Sequence, residues 1–147
     1  MTFRQNAVRT VAVSAAAAAL ALVTNAVAAA DVPPRTPGIM GDDIVQLDNS
    51  GPCNGPIHVD FETSATRPGN LSVLLTPRGT FGASPACATN IQVDWINGIA
   101  PFTHTLRVPV DNGATRIDVP TGAGVSLVNV SNFPLRALAI SSYVLVP

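Results

Sequence analysis

The sequence predicts an all-β fold, an antiparallel two-sheet sandwich with one disulfide. Three observations predict it. Apolar residues recur with period two in segment after segment, Pro and Gly punctuate those segments, and two cysteines are available to pair. All thirteen prolines and eleven glycines fall beyond residue 30. That density suits short strands and tight turns and stays below the level of a disordered chain.

The first thirty residues are set apart from this pattern. Arg4 and Arg9 lie in a start without acids, Val11 to Val23 is an apolar run, and Ala26-Val27-Ala28 offers the small residues that a signal peptidase accepts. That order predicts a secretory signal over 1–30, cleaved after Ala28 or after Ala30, and hence a protein working outside the cytoplasm, secreted or in the cell envelope. Ser14, Thr24 and Asn25 interrupt the apolar stretch, which argues against an uncleaved anchor, and no cysteine stands near the cleavage region to carry a lipid. The mature chain is expected to have no transmembrane helix, since its final apolar stretch, Leu138 to Val146, is too short to cross a bilayer.

From Asp31 onward the chain has the size of one domain with a real core. It holds nine acids, six arginines and no lysine, a formal charge of −3. The arginines are scattered singly, which disfavours a nucleic-acid partner, because neutralising a phosphate backbone requires clustered cations.

The elements follow in order. Residues 31–42, with Pro33, Pro34 and Pro37, read as an extended lead-in, and 43–147 as a single sandwich domain. Ile44 to Leu47 makes a short first strand. Ile57, Val59 and Phe61 alternate with His58, Asp60 and Glu62, and Leu71, Val73 and Leu75 follow a turn at Pro68-Gly69.

Asn97-Gly98 and Asn112-Gly113 are two-residue hairpin signals. Taken literally they pair Val93 with Phe102, Trp95 with Ala100, Val108 with Ile117 and Leu106 with Val119, with Arg107 opposite Asp118. Ile91, Val93, Trp95, Phe102, Leu106, Val108, Ile117 and Val119 then share one face; Gln92, Asp94, Thr103, Arg107, Arg116 and Asp118 share the other. Pro109 fits only where its missing N–H needs no partner, at an edge or bulge. Gly122 and Gly124 mark another turn, Val125 to Val130 a strand, Asn132 to Pro134 a break, and Leu135 to Val146 a long final strand. The count is about eight, with no amphipathic helix.

Outside the cytoplasm Cys53 and Cys87 are expected to form a disulfide. Closing that loop stabilises the fold by roughly 3 to 4 kcal/mol in the chain-entropy model. The architecture expected is immunoglobulin-like in its stacking of two sheets, but that family sets its Trp between two bridged cysteines, whereas Trp95 follows both of these.

Few constellations carry chemistry. His58, Asp60 and Glu62 project from one strand face, and with His104 they are the only candidate metal ligands. The register places His104 on the apolar face opposite Ile91, as a core or rim histidine bonded to backbone or to Thr121, so the two histidines point into different environments. Asp60 and Glu62 make a weak glycosidase pair. Gly82-Ala83-Ser84 lacks the second glycine of a nucleophile elbow. Gly122-Ala123-Gly124 precedes a strand and supplies no phosphate-binding helix end. No cofactor is expected. Among the aromatics, Phe81 and Tyr143 are the candidate exposed contacts, and Arg78 and Phe81 mark the loop Pro77 to Thr89 as a candidate contact surface; the other reading of Phe81 is a hydrophobic latch that packs this loop onto the sandwich.

The reading that results is a secreted, non-catalytic binding or interaction module with an envelope or extracellular partner. Two alternatives stand beside it: a small extracellular metal-dependent or hydrolytic enzyme using His58, Asp60 and Glu62, and a carrier of a small apolar ligand held between the sheets near His104.

Overall fold

The computed structural model describes residues 33, 41–46, 53–98, 101–135 and 139–147. The expected signal segment, its two cleavage points and nearly all of the Pro-rich lead-in lie outside these residues. Among those described are eight strands and one short helix: β1 (Asp43–Gln46), β2 (Gly55–Thr63), β3 (Leu71–Pro77), α1 (Gly79–Ala83), β4 (Thr89–Asn97), β5 (His104–Val110), β6 (Thr115–Val119), β7 (Gly124–Phe133) and β8 (Ile140–Val146). They form two four-stranded antiparallel sheets. Sheet I runs β1-β2-β3-β6 and sheet II runs β5-β4-β7-β8. The all-β class, the two antiparallel sheets and the bridge between Cys53 and Cys87 are as the sequence predicts.

Alternation along each strand builds the core. Ile57, Val59 and Phe61 of β2 oppose Pro77, Leu75 and Val73 of β3, and Val73 and Leu71 in turn oppose Ile117 and Val119 of β6. All of these are buried. From sheet II, Ile91, Val93 and Trp95 of β4 and Val128 and Val130 of β7 join the same hydrophobic cluster. Each fully buried side chain of this size is worth about 1.5–3 kcal/mol relative to exposure, so the layer between the sheets is the main source of stability.

Two hairpin expectations need correction. At Asn112-Gly113 there is no hairpin: β5 is an edge of sheet II and β6 an edge of sheet I, so the chain crosses between sheets there. Gly113 does not take the positive φ that a primed turn requires, and its N–H instead bonds Asp111 Oδ1 at 2.8 Å, an Asx-type bend. Arg107 therefore faces Gln92, and Asp118 faces Ser72. The physical reason is that two strands on facing sheets turn apolar residues inward with the same period as two strands paired in one sheet.

At Asn97-Gly98 the strands do pair, but with Val93 opposite Leu106 and Trp95 opposite His104, four residues away from the tight-turn register. The connection spans 98–103, and Phe102 leaves the core and is exposed. A slip of four is even, so the inward and outward faces of β4 and β5 survive it. Pro109 sits on an edge strand, where its missing N–H costs no ladder bond.

Other elements differ in extent. β7 runs on to Phe133, through Asn132, and a cis bond joins Phe133 to Pro134; β8 begins only at Ile140. The turn at Pro68-Gly69 forms, with Gly69 at φ +73°. Its carbonyl accepts from Gly122 N–H at 2.9 Å, and its own N–H donates to Pro147 O at 2.8 Å, so the β2–β3 turn is tied to the segment leading into β7 and to the residue that follows β8. Gly122 takes φ +79°, where a side chain is strained, and a Cβ there would lie 2.5 Å from Asn97 Nδ2 and push that amide aside.

Candidate binding face

The sequence's metal candidates do not assemble. His58, Asp60 and Glu62 do share the outer face of sheet I, as their alternation predicts, but each is engaged there. His58 Nδ1 lies 2.7 Å from Asp43 Oδ1 and its Nε2 3.4 Å from Asp60 Oδ1, while Glu62 pairs with Arg116 at 3.0 Å. Arg116 belongs with Arg67, Asp118 and Ser72 to a surface network. Arg67 Nη1 reaches Asp118 Oδ2 at 2.7 Å, and the Ser72 hydroxyl donates to Asp118 Oδ1 at 2.5 Å. The Ser72 hydrogen bond, then that from Arg67, holds the Asp118 carboxyl below its ordinary range. Among the described residues no group of three or more His, Cys, Asp or Glu is placed to hold a metal ion.

His104 stands on the other sheet, opposite Trp95 rather than Ile91. Its ring stacks on the Trp95 indole with centroids 5.2 Å apart and planes at 22°, and the residue is exposed. It is thus a rim histidine covering the edge of the tryptophan. Thr121 is not bonded to it; that hydroxyl donates to the Gly122 carbonyl at 3.1 Å.

In the loop between Pro77 and Thr89 the burial of Phe81 favours the latch reading over the exposed contact. The loop contains α1, and Phe81 on α1 is fully buried. The ring cannot serve as an exposed contact; it latches the loop onto the core. Phe81 N–H donates to Asn54 O at 3.1 Å, the Thr80 hydroxyl bonds the same carbonyl, and the Cys53–Cys87 bridge ties the loop to the start of β2. Arg78 remains exposed.

The outer face of sheet II is built differently from that of sheet I. Pairing of β4 with both β5 and β7 lays Thr105, Asp94 and Asn129 in one row, continued by Ser141, and Arg107, Gln92 and Ser131 in the next. Asp94, only 7% exposed, is held by neutral donors: Thr105 Oγ1 at 2.6 Å, Gln92 Nε2 at 2.9 Å to both oxygens and Asn129 Nδ2 at 3.5 Å. Gln92 Oε1 accepts from Arg107 Nε at 3.0 Å, and Ser141 donates to Asn129 Oδ1 at 2.9 Å. A buried carboxylate requires such satisfaction of its lone pairs. The network fixes the side chains of four neighbouring strands in one arrangement.

Beside this polar half lies an apolar one. Ile96 opposes Leu127, Leu127 opposes Tyr143, and Val125 opposes Leu145 across β4, β7 and β8. Val125, Tyr143 and Leu145 are 49%, 38% and 48% exposed, high values for large apolar side chains set side by side on a rigid sheet. Tyr143 was legible from the sequence as an exposed aromatic. Val125 and Leu145 were not, since only the β7–β8 pairing shows that they adjoin it.

Comparison with protein-family models, with curated proteins and with solved structures gave no match for this chain.

Proposed function

We propose that this protein works outside the cytoplasm, secreted or in the cell envelope, as a non-catalytic binding module that meets its partner with the outer face of sheet II. The observation that carries this reading is the contiguous apolar patch of Val125, Leu127, Tyr143 and Leu145 on a sheet face, flanked by the hydrogen-bonded row of Asp94, Thr105, Asn129 and Ser141. An apolar centre with an ordered polar border is the usual anatomy of a protein-recognition surface. The leader pattern of residues 1–30 and the disulfide support an oxidising compartment. A pulldown from the producing cell's envelope fraction tests the reading. The doubly substituted Val125→Ser, Leu145→Ser protein is expected to lose the captured component while keeping the wild-type melting temperature within a few degrees. Equal capture by both proteins would overturn it.

A further inference from the structure

The chain carries three Asn-Gly pairs, Asn54-Gly55, Asn97-Gly98 and Asn112-Gly113. In such a pair the glycine nitrogen can close on the amide carbon of the asparagine side chain, since no Cβ on the second residue stands in the way. Closure requires that nitrogen to lie outside a backbone hydrogen bond, the space beside it to be open, and the asparagine side chain to be able to turn over it. The fold withholds this from two of the pairs. Gly98 N–H donates to Val125 O at 2.9 Å, and Asn97 Nδ2 donates to Ala123 O at 3.2 Å. Gly55 opens β2 opposite Gln46 in a crowded position, where a Cβ would lie 2.5 Å from Arg78 O. Beside it, Asn54 O accepts from Phe81 N–H at 3.1 Å and from the Thr80 hydroxyl.

The third pair lies in the link that crosses from β5 to β6, outside both ladders. Gly113 is exposed, and a Cβ built on it would meet only Asp111 Oδ1, at 3.2 Å. Among the described residues no hydrogen bond holds the Asn112 side chain. The Gly113 N–H donates to the Asp111 carboxylate at 2.8 Å, so the nitrogen that would react already rests on a base. From this contrast we infer that Asn112 is a site of spontaneous deamidation, with Asp111 as the base for the reacting nitrogen. Asp111 takes the proton from Gly113 N as the bond from that nitrogen to Asn112 Cγ forms. The Cγ–Nδ2 bond breaks, the proton passes to the departing nitrogen, and ammonia leaves. The succinimide that remains takes up one water at either of its carbonyls and opens to aspartate or isoaspartate, so water is the only co-reactant. Each event adds a negative charge beside Asp111, and isoaspartate also lengthens the backbone of the link between the sheets.

The inference concerns that link and stands without the partner proposed above. Its test is incubation of the disulfide-bonded secreted chain in mildly alkaline buffer. Peptide mapping by mass spectrometry reads the exchange of amide for carboxyl at each asparagine, and methyl transfer by an isoaspartyl methyltransferase reads the isomerised product. Asn112 is expected to convert about tenfold or more faster than Asn97 and Asn54, because those two pairs must first open their local hydrogen bonds. In the reduced chain held in urea the three should convert at similar rates, since no fold then distinguishes them. Asp111→Ala should slow conversion of Asn112 severalfold by removing the base, and Gly113→Ala should slow it by crowding ring closure. Circular dichroism confirms that both variants are folded, and the comparison of the three pairs within the wild-type chain needs neither of them. Conversion of Asn54 or Asn97 as fast as Asn112 in the folded chain, or an Asn112 that stays intact, would overturn the site. Faster conversion in Asp111→Ala would overturn the role of Asp111.

Discussion

The guanidinium carbon of Arg107 lies 3.8 Å from the centre of the Phe133 ring. Arg107 is on β5 and Phe133 on β7, so the side chain reaches across the whole width of β4 between them. Beneath it, Gln92 is fully buried although it sits on the outer face of sheet II. Arg107 Nε donates to Gln92 Oε1, and Gln92 Nε2 donates to Asp94. One cation therefore stacks on Phe133 by its flat face and satisfies the polar network by its edge.

Arg107→Ala is expected to destabilise the fold by about 1–2 kcal/mol, through the lost cation–π contact and the unpaired Gln92 carbonyl. Arg107→Lys should recover little, because an ammonium cannot stack as a planar fork while donating sideways. Urea unfolding midpoints of the three proteins measure this. Full recovery by Lys would mean that charge alone, and not stacking, matters at this position.

Phe81→Ala is expected to cost about 3–5 kcal/mol, the range for emptying a buried aromatic site. The neighbouring change Arg78→Ala, at an exposed position, should stay within about 0.5 kcal/mol. Thermal unfolding of the two variants, with the disulfide intact, separates a latch from a contact residue. A nearly unchanged melting temperature for Phe81→Ala would contradict the burial seen for this ring.

What could be read in the sequence, and what could not, follows from the range of each signal. The Cys53–Cys87 bridge was legible because only one pairing of two cysteines exists. The inward residues of β2, β3 and β4 were legible because a period of two survives any even change of register. The link between β5 and β6 was not, since alternation is the same for strands paired in one sheet and strands facing each other across a core. The outer face of sheet II was hidden for a related reason. Asp94 meets Asn129 only because β4 pairs with β7, 35 residues further along the chain, and no local turn announces that contact. His58, Asp60 and Glu62 stand out instead because they are close in sequence, but His58 is engaged by Asp43 and by Asp60 on its own strand, and Glu62 by Arg116. Phe81 was legible only as two alternatives. In a Gly-rich loop an aromatic side chain reads either as an exposed contact or as a latch on the core, and here the short helix α1, little more than one turn, and the disulfide bring it inward.

The Asp118 network makes stability depend on acid in a defined direction. Hydrogen bonds from Ser72 and Arg67, with the charges of Arg67 and Arg116, hold the Asp118 pKa below its ordinary 3.8. A carboxyl whose pKa is lower folded than unfolded binds its proton more readily in the unfolded chain, so acid favours unfolding. Its contribution is complete above pH 3.8 and is lost as the pH falls through the lower folded value. Asp118 is nearly half exposed, and solvent screening limits the effect to about 1 kcal/mol or less. Asp118→Asn should therefore be slightly less stable than wild type at neutral pH. The gap should narrow in the acid limb, where wild type too carries an uncharged side chain. High salt should shrink the neutral-pH gap, as expected for exposed charges. Urea midpoints measured for both proteins from neutral pH down to below 3 decide it. A gap that is constant across that range would show that Asp118 acts through its hydrogen bonds alone and not through its charge.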